Sequence, residues 1–409
     1  MSVIKKELDK TDYKILSVLV LCSLVYYFQY FFSVKNSPTG LPMPEDSLWY
    51  LEYAYRMLSN FDLDMHVNDI LYLTYNMLLI FLLALFNNTE TIVVLQTIST
   101  AFAVILVYQI ALIIFDRATA IISSLFYAFS LDLNIWTVYI LSDSFFSVFM
   151  LANIFALLKY FLLEEKSYRN MSIFTTVAVI FFRPNGLIAF IFVLPWLVYM
   201  FGIDKVKNII KQYKKTITII SSCFIVAFFI LLYLNTFDLF FESLHYNFKL
   251  LLYNVYAKGW IYDIDTKYTH NWFPNYTIIY DSELLSFIYF NYRDILLMML
   301  KKAAVFLGYW VVFSDAKYKI SMFIFSIPTI FFIIGSISTY LNKKIKGCSL
   351  LFLAISSVFI FCVIFFVDSM YRYRAPVMPY IYIIMAYGIT CFVSTIQDVV
   401  QDFKKSFLN

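Results

Sequence analysis

The chain has 409 residues, 62% hydrophobic and 21% aromatic, and its charged fraction of 14% with a mean hydropathy of +0.77 excludes a soluble globular domain. The net charge of +4 makes no case for nucleic acid, because the lysines cluster between apolar runs as cytoplasmic loops do. The cysteines Cys22, Cys223, Cys348, Cys362 and Cys391 lie in or beside apolar runs and indicate no disulfide framework. What remains is an all-α polytopic membrane protein.

In chain order, the first apolar run, 15–34, follows Lys5, Lys6, Lys10 and Lys14. It is too long for a signal peptide and no small-residue cleavage site follows, so it reads as an uncleaved anchor. Further spans are expected at 91–115, 118–138, 144–163, 171–182 (short), 187–202, 216–236, 320–341, 349–367 and 376–395. Asp132 lies inside one of them and caps a break in it. Two apolar stretches, 70–86 and 295–313, are ambiguous, since polar Tyr72, Thr74, Tyr75 and Asn76 punctuate the first and Lys301 and Lys302 the second. Each suits a helix lying along the membrane surface.

Counting charges settles the topology. With both ambiguous stretches on the surface and the N-terminus cytoplasmic, Arg117, Lys166, Arg169, the lysines of 204–215, the 342–347 turn and Lys404 with Lys405 all face inside. If 70–86 alone crossed, the lysine-rich 204–215 loop would face outside. The positive-inside rule thus favours about ten spans, two surface helices and both termini in the cytoplasm. Three regions follow: an N-terminal membrane module 1–236, a long Tyr-rich outer loop 237–319, and C-terminal spans 320–409. A loop of that length inside a compact protein is expected to be functional.

On this topology every unusual polar residue faces outward. Glu45 and Asp46 follow the first span; Asp143 heads a later one; Arg183 precedes Pro184; and Arg372 and Arg374 sit at an outer end against the positive-inside expectation. Each has a bland alternative: a solvated acid pair at a helix start, a helix cap, a snorkelling arginine. Together they place carboxylates able to act as a general base beside guanidinium forks suited to a phosphate leaving group. Base and phosphate clamp next to lipid suggest transfer from a lipid-linked phosphate donor to an acceptor hydroxyl or amine. In the long loop, Trp260 and His270 are candidate substrate contacts, with membrane-interface anchoring the alternative for Trp260. His66, His245 and His270 lack metal-ligand spacing.

These residues resemble the GT-C class of integral membrane glycosyltransferases, the group of the protein O-mannosyltransferases and lipid A aminoarabinose transferases. Asp46, Ser47, Tyr50 and Ala54 look like that class's first-loop motif; Asp143 within LSDSFF resembles its second acid; Arg183, Pro184 and Gly186 its basic-Pro/Gly turn; and Arg372, Tyr373, Arg374, Pro376 and Pro379 its late basic, Pro-rich segment. The usual acid after the catalytic Asp is Ser47 here, with Glu45 before it, so the base is Asp46 or Glu45. No lysine or arginine near 66–69 matches the one some members carry.

The resemblance implies an inverting transfer of a sugar from a polyprenyl-phosphate donor to a glycan, lipid or protein acceptor at the outer membrane face. Asp46 or Glu45 would be the base and Asp143 would orient the acceptor or share that role. Arg183, Arg372 and Arg374 would hold the donor phosphate, with Tyr50 among the substrate contacts. A lipid phosphate leaves well enough that no metal is demanded, although paired acids could hold a divalent ion. Competing readings are a lipid-linked oligosaccharide polymerase or ligase, and a secondary transporter or flippase, whose polar groups would lie near the bilayer midplane.

Overall fold

The computed structural model describes residues 8–61, 67–212, 316–364 and 371–408, with single helical positions scattered between 214 and 306. Among the described residues every regular element is helical. The main ones are α1 (Lys10–Lys35), α2 (Glu45–Asn60), α3 (Leu73–Phe86), α4 (Thr89–Ile114), α5 (Arg117–Ala128), α6 (Leu131–Val138), α7 (Ser142–Leu162), α8 (Arg169–Ile180), α9 (Pro184–Phe201), α10 (Ile203–Gln212), α11 (Ala316–Leu341), α12 (Ile345–Ile364) and α13 (Met378–Leu408). Among the described residues five stretches are long and apolar enough to cross a bilayer, or six if the bent pair α5–α6 counts as one span.

The lipid setting is legible in α1. A single stripe, Leu16, Leu19, Ser23, Tyr27 and Phe31, is buried, while Val18, Leu21, Val25 and Phe32 point outward and are exposed. A helix apolar on its inward and outward faces alike is stable where its surroundings are hydrocarbon. At 26 residues and 1.5 Å each it reaches about 39 Å, enough to span. By contrast α3 has 14 residues, about 21 Å, too short to cross a core of about 30 Å alone. The expected spans at 15–34, 91–115, 144–163, 349–367 and 376–395 fall on α1, α4, α7, α12 and α13. The 118–138 span is bent by 49° between α5 and α6, where Asp132 lies. Most of 216–236, 237–319 and 295–313 lies outside the described residues.

Two polar clusters mark the two ends of the bundle. Where α1 starts, Asp9 and Asp12 form a capping box, and Arg117 at the start of α5 donates to Asp9 Oδ2 at 2.6 Å and to Asp12 Oδ1 at 2.8 Å. Tyr108, near the end of α4, also donates to Asp12 Oδ1, at 2.6 Å. At this Asp9 end, Lys344 lies over the rings of Phe115 and Tyr387. Where α1 finishes, Lys35 pairs with Glu90 at the start of α4. Following the chain up and down from there puts the start of α2, the α6–α7 junction, the α8–α9 junction and the approach to α13 all at this second, Asp46 end.

Helices α11 and α13 cross with almost no space between them. A Cβ on Gly335 would sit 2.1 Å from the carbonyl oxygen of Ile384, and one on Gly388 2.0 Å from that of Phe331. In lipid, where apolar burial drives little association, such close backbone contact supplies the packing energy.

Candidate functional site

Asp46 lies in the first turn of α2, which starts after extended Pro44. Two acids there oppose the positive helix end favourably. Helix α2 is held down by aromatic rings: Tyr50 meets Tyr75 of α3 at 4.8 Å and Tyr72 at 5.4 Å, Tyr75 meets Phe182 at 6.0 Å, and Phe182 meets Phe149 of α7 at 5.1 Å. The Thr74 N–H also donates to the Phe181 carbonyl at 2.9 Å, tying α3 to the turn before Arg183. Burial pushes the Tyr50 hydroxyl well above its ordinary range, so it is a neutral phenol at any working pH.

Asp143 is the second residue of α7 and is fully buried. Arg183 occupies the cap of α9, extended ahead of Pro184 at the first helical position, where a missing N–H costs nothing. Gly186 lets α9 press on α8: a Cβ there would sit 1.7 Å from the Val179 carbonyl oxygen. That approach carries Arg183 inward, where it pairs with Asp143 Oδ1 and lies against the rings of Phe146 and Tyr373 at 5.8 and 5.5 Å. Arg372 reaches in from the segment before α13. Its Nε donates to Asp143 Oδ2 at 3.0 Å and its Nη1 to Asp46 Oδ2 at 3.0 Å, with its guanidinium 5.7 Å from both Trp136 and Tyr373.

Four side chains from four distant segments thus form one line, Arg183–Asp143–Arg372–Asp46, running from buried to open. The side chain of Arg183 is 2% exposed, that of Arg372 11%, and that of Asp46 57%. Two carboxylates balance two guanidinium groups, the condition under which buried ions are tolerated. Arg374 turns elsewhere: it donates to Asp132 Oδ2 and to the Phe306 carbonyl oxygen, at 3.0 and 3.2 Å. Asp132 is therefore the partner of Arg374 at the bend between α5 and α6.

The chemistry divides along that line. Both oxygens of Asp143 accept from arginine and the carboxylate is buried, so it orients the guanidinium groups and is poorly placed to serve as a base. Asp46 has one arginine contact and open water beside it, so it is the carboxylate able to take a proton. Glu45, in the same turn, is exposed and makes no ion pair among the described residues. Of the three arginines expected at a phosphate, Arg183 is sealed behind Asp143, whereas Arg372 and Arg374 are 11% and 12% exposed; of these two, Arg372 is the one that meets the open carboxylate Asp46, while Arg374 pairs with Asp132. Beside the line, Ser47 Oγ and Tyr75 Oη are buried with no hydrogen-bond partner among the described residues, two polar atoms equipped to meet a ligand. Among the described residues no three His, Cys, Asp or Glu side chains gather as a metal would need.

A cavity of about 410 Å³ opens at the same end, lined by Lys35, Leu41, Met43, Glu90, Val138 and Ile140 among others. Met43 and Ile140 each stand three residues before a site carboxylate, so its walls lie within about 11 Å of Asp46 and Asp143 along the chain. The sequence marks Tyr373 as part of the late Arg372–Pro379 motif without giving it a role, and it does not point to Trp136 or Tyr75 as site residues. Trp260 and His270 lie outside the described residues, as does His66. Comparison of the chain with models of known protein families, with curated proteins and with solved structures finds no match.

Proposed function

We propose that the protein is an inverting glycosyltransferase that moves a sugar from a polyprenyl-phosphate donor to an acceptor hydroxyl at the outer face of the membrane, with ten spans in a GT-C arrangement. The observation that carries this reading is the Arg183–Asp143–Arg372–Asp46 line: an open carboxylate and a guanidinium clamp, 3.0 Å apart, at one end of an apolar bundle. Asp46 accepts the acceptor's proton as its oxygen attacks the anomeric carbon. Arg372 stabilises the phosphate that departs from the opposite face. Asp143 and Arg183 position Arg372, and Tyr50 packs the base helix in place. The acceptor enters through the cavity beside Met43 and Ile140.

Sidedness is supported by charge. The Asp9 end carries Arg117, Lys159, Lys166, Arg169, Lys343, Lys344 and Lys346 and leads into the lysines of 204–215, as cytoplasmic segments do. At the Asp46 end Arg183, Arg372 and Arg374 are each neutralised by an acid. Both termini are then cytoplasmic. The test is turnover of a panel of polyprenyl-phosphate sugars by purified protein: wild type is expected to release polyprenyl phosphate with at least one donor, and Asp46→Asn with none. Full activity in that variant removes Asp46 as base, and labelling of a Glu45→Cys variant only from the cytoplasmic side removes the outer-face assignment.

A further inference from the structure

A phosphate reaching this charge-balanced line has to compete with carboxylates already on Arg372. Arg183 and Asp143 are buried and satisfy one another, and Arg372 is held on both sides, by Asp143 inward and Asp46 outward. A phosphate added to this neutral set would bring uncompensated negative charge against two carboxylates. One contact can be surrendered cheaply. Asp46 is more than half exposed, so water solvates it when it lets go, whereas Asp143 has no such refuge.

We propose that the Asp46–Arg372 ion pair is a switch in which the donor phosphate displaces Asp46 from Arg372 and thereby frees the base. This inference rests on the glycosyltransferase reading and adds an order of events to it. Without donor, the Asp46 carboxylate is engaged by Arg372. With donor, the phosphodiester takes the Nη1 position and Asp46 turns toward the acceptor. The acceptor O–H gives its proton to Asp46 as oxygen bonds to the anomeric carbon, and the carbon–oxygen bond to phosphate breaks with its electron pair on the phosphate. Neutral, protonated Asp46 then has no pull on Arg372, which holds the more negative monoester. Loss of that proton to water restores the carboxylate, which competes for Arg372 again and expels the carrier phosphate.

The consequence is that removing the negative charge of Asp46 should improve phosphate binding while abolishing transfer. The experiment titrates a polyprenyl monophosphate into the full-length protein in nanodiscs, wild type against Asp46→Asn, with inorganic phosphate as a second probe. Asp46→Asn is expected to bind the lipid phosphate about three- to ten-fold more tightly, the scale of losing one partly exposed competitor. Its melting temperature should stay near wild type, because the replaced carboxyl group is largely in water. Tightening for the lipid alone assigns the clamp to a headgroup delivered from the bilayer; tightening for both probes assigns it to phosphate as such, and either supports the switch. Equal or weaker binding by Asp46→Asn overturns the switch and leaves the glycosyltransferase reading standing. Failure of both proteins to bind any lipid phosphate overturns that reading and the switch with it.

Discussion

The two ends of the bundle hold clusters of the same ingredients, aspartates and arginine beside tyrosine, put to different use. At the Asp9 end the acids cap their own helix, and Arg117, 44% exposed, reaches over from the next turn to bridge them. The contacts of Asp9 and Asp12 there close α1 onto α4 and α5. At the Asp46 end the arginines cap no helix with their side chains, lie under aromatic rings, and are surrounded by polar atoms without partners. A cluster built for stability satisfies its groups locally; one that leaves buried hydroxyls unsatisfied has kept capacity for something absent.

That contrast breaks most sharply at Asp46. Asp46→Asn should lower sugar transfer by about 10²- to 10⁴-fold, the usual weight of a general base, while thermal unfolding barely moves; the equivalent change at the other end, Asp9→Asn, should leave transfer intact. Next in size is Asp143→Ala. It strands two arginines, one of them fully buried, and should cost about 3–5 kcal/mol, read as a large fall in melting temperature or in membrane yield. A leucine at position 388, Gly388→Leu, should disrupt the α11–α13 crossing comparably, since the neighbour it meets is backbone, 2.0 Å from where the Cβ would stand.

Smaller effects sharpen the Asp9 end. Asp12→Ala removes the buried acceptor of both Tyr108 and Arg117 and should cost about 1–3 kcal/mol with transfer unchanged in the protein that folds. The Asp9 carboxyl is held below its ordinary 3.8 by the Asp12 backbone N–H first and Arg117 second. Its contribution is therefore complete above that value and is lost as pH falls through the lowered one. Melting curves of wild type and Asp9→Asn should differ at pH 7 and draw together as the pH is taken below 3.8. Smallest of all, Glu90→Gln loosens a half-exposed pair with Lys35 and should cost at most about 1 kcal/mol, disappearing in high salt. A larger effect there on acceptor KM would instead implicate the cavity that this pair borders.

Much of the arrangement was legible beforehand because membranes impose strong rules. A run of apolar residues has to span or lie flat, and lysine placement orients it, so the joint location of Asp46, Asp143, Arg183 and Arg372 at one end followed from counting. The short α3 was equally readable from polar interruptions in its stretch. Division of labour among the arginines was not. Arg183, Arg372 and Arg374 look alike in one dimension; burial sets the sealed Arg183 apart, and only the acids they meet separate Arg372, on Asp143 and Asp46, from Arg374, on Asp132. Trp136 carries no signal in the sequence because aromatic residues make up 21% of this chain, and Tyr373 is marked only by the motif around it.

The amino-acid sequence alone determined a helical membrane protein with its odd charges gathered on one side, because hydrocarbon leaves no alternative to helices and makes each misplaced charge costly. Which charge meets which was decided only by tertiary structure. Ion pairing depends on angstroms between segments as far apart in the chain as α2 and the stretch before α13, while the bend at Asp132 and the bare backbone of Gly186 place the partners of Arg374 and Asp143.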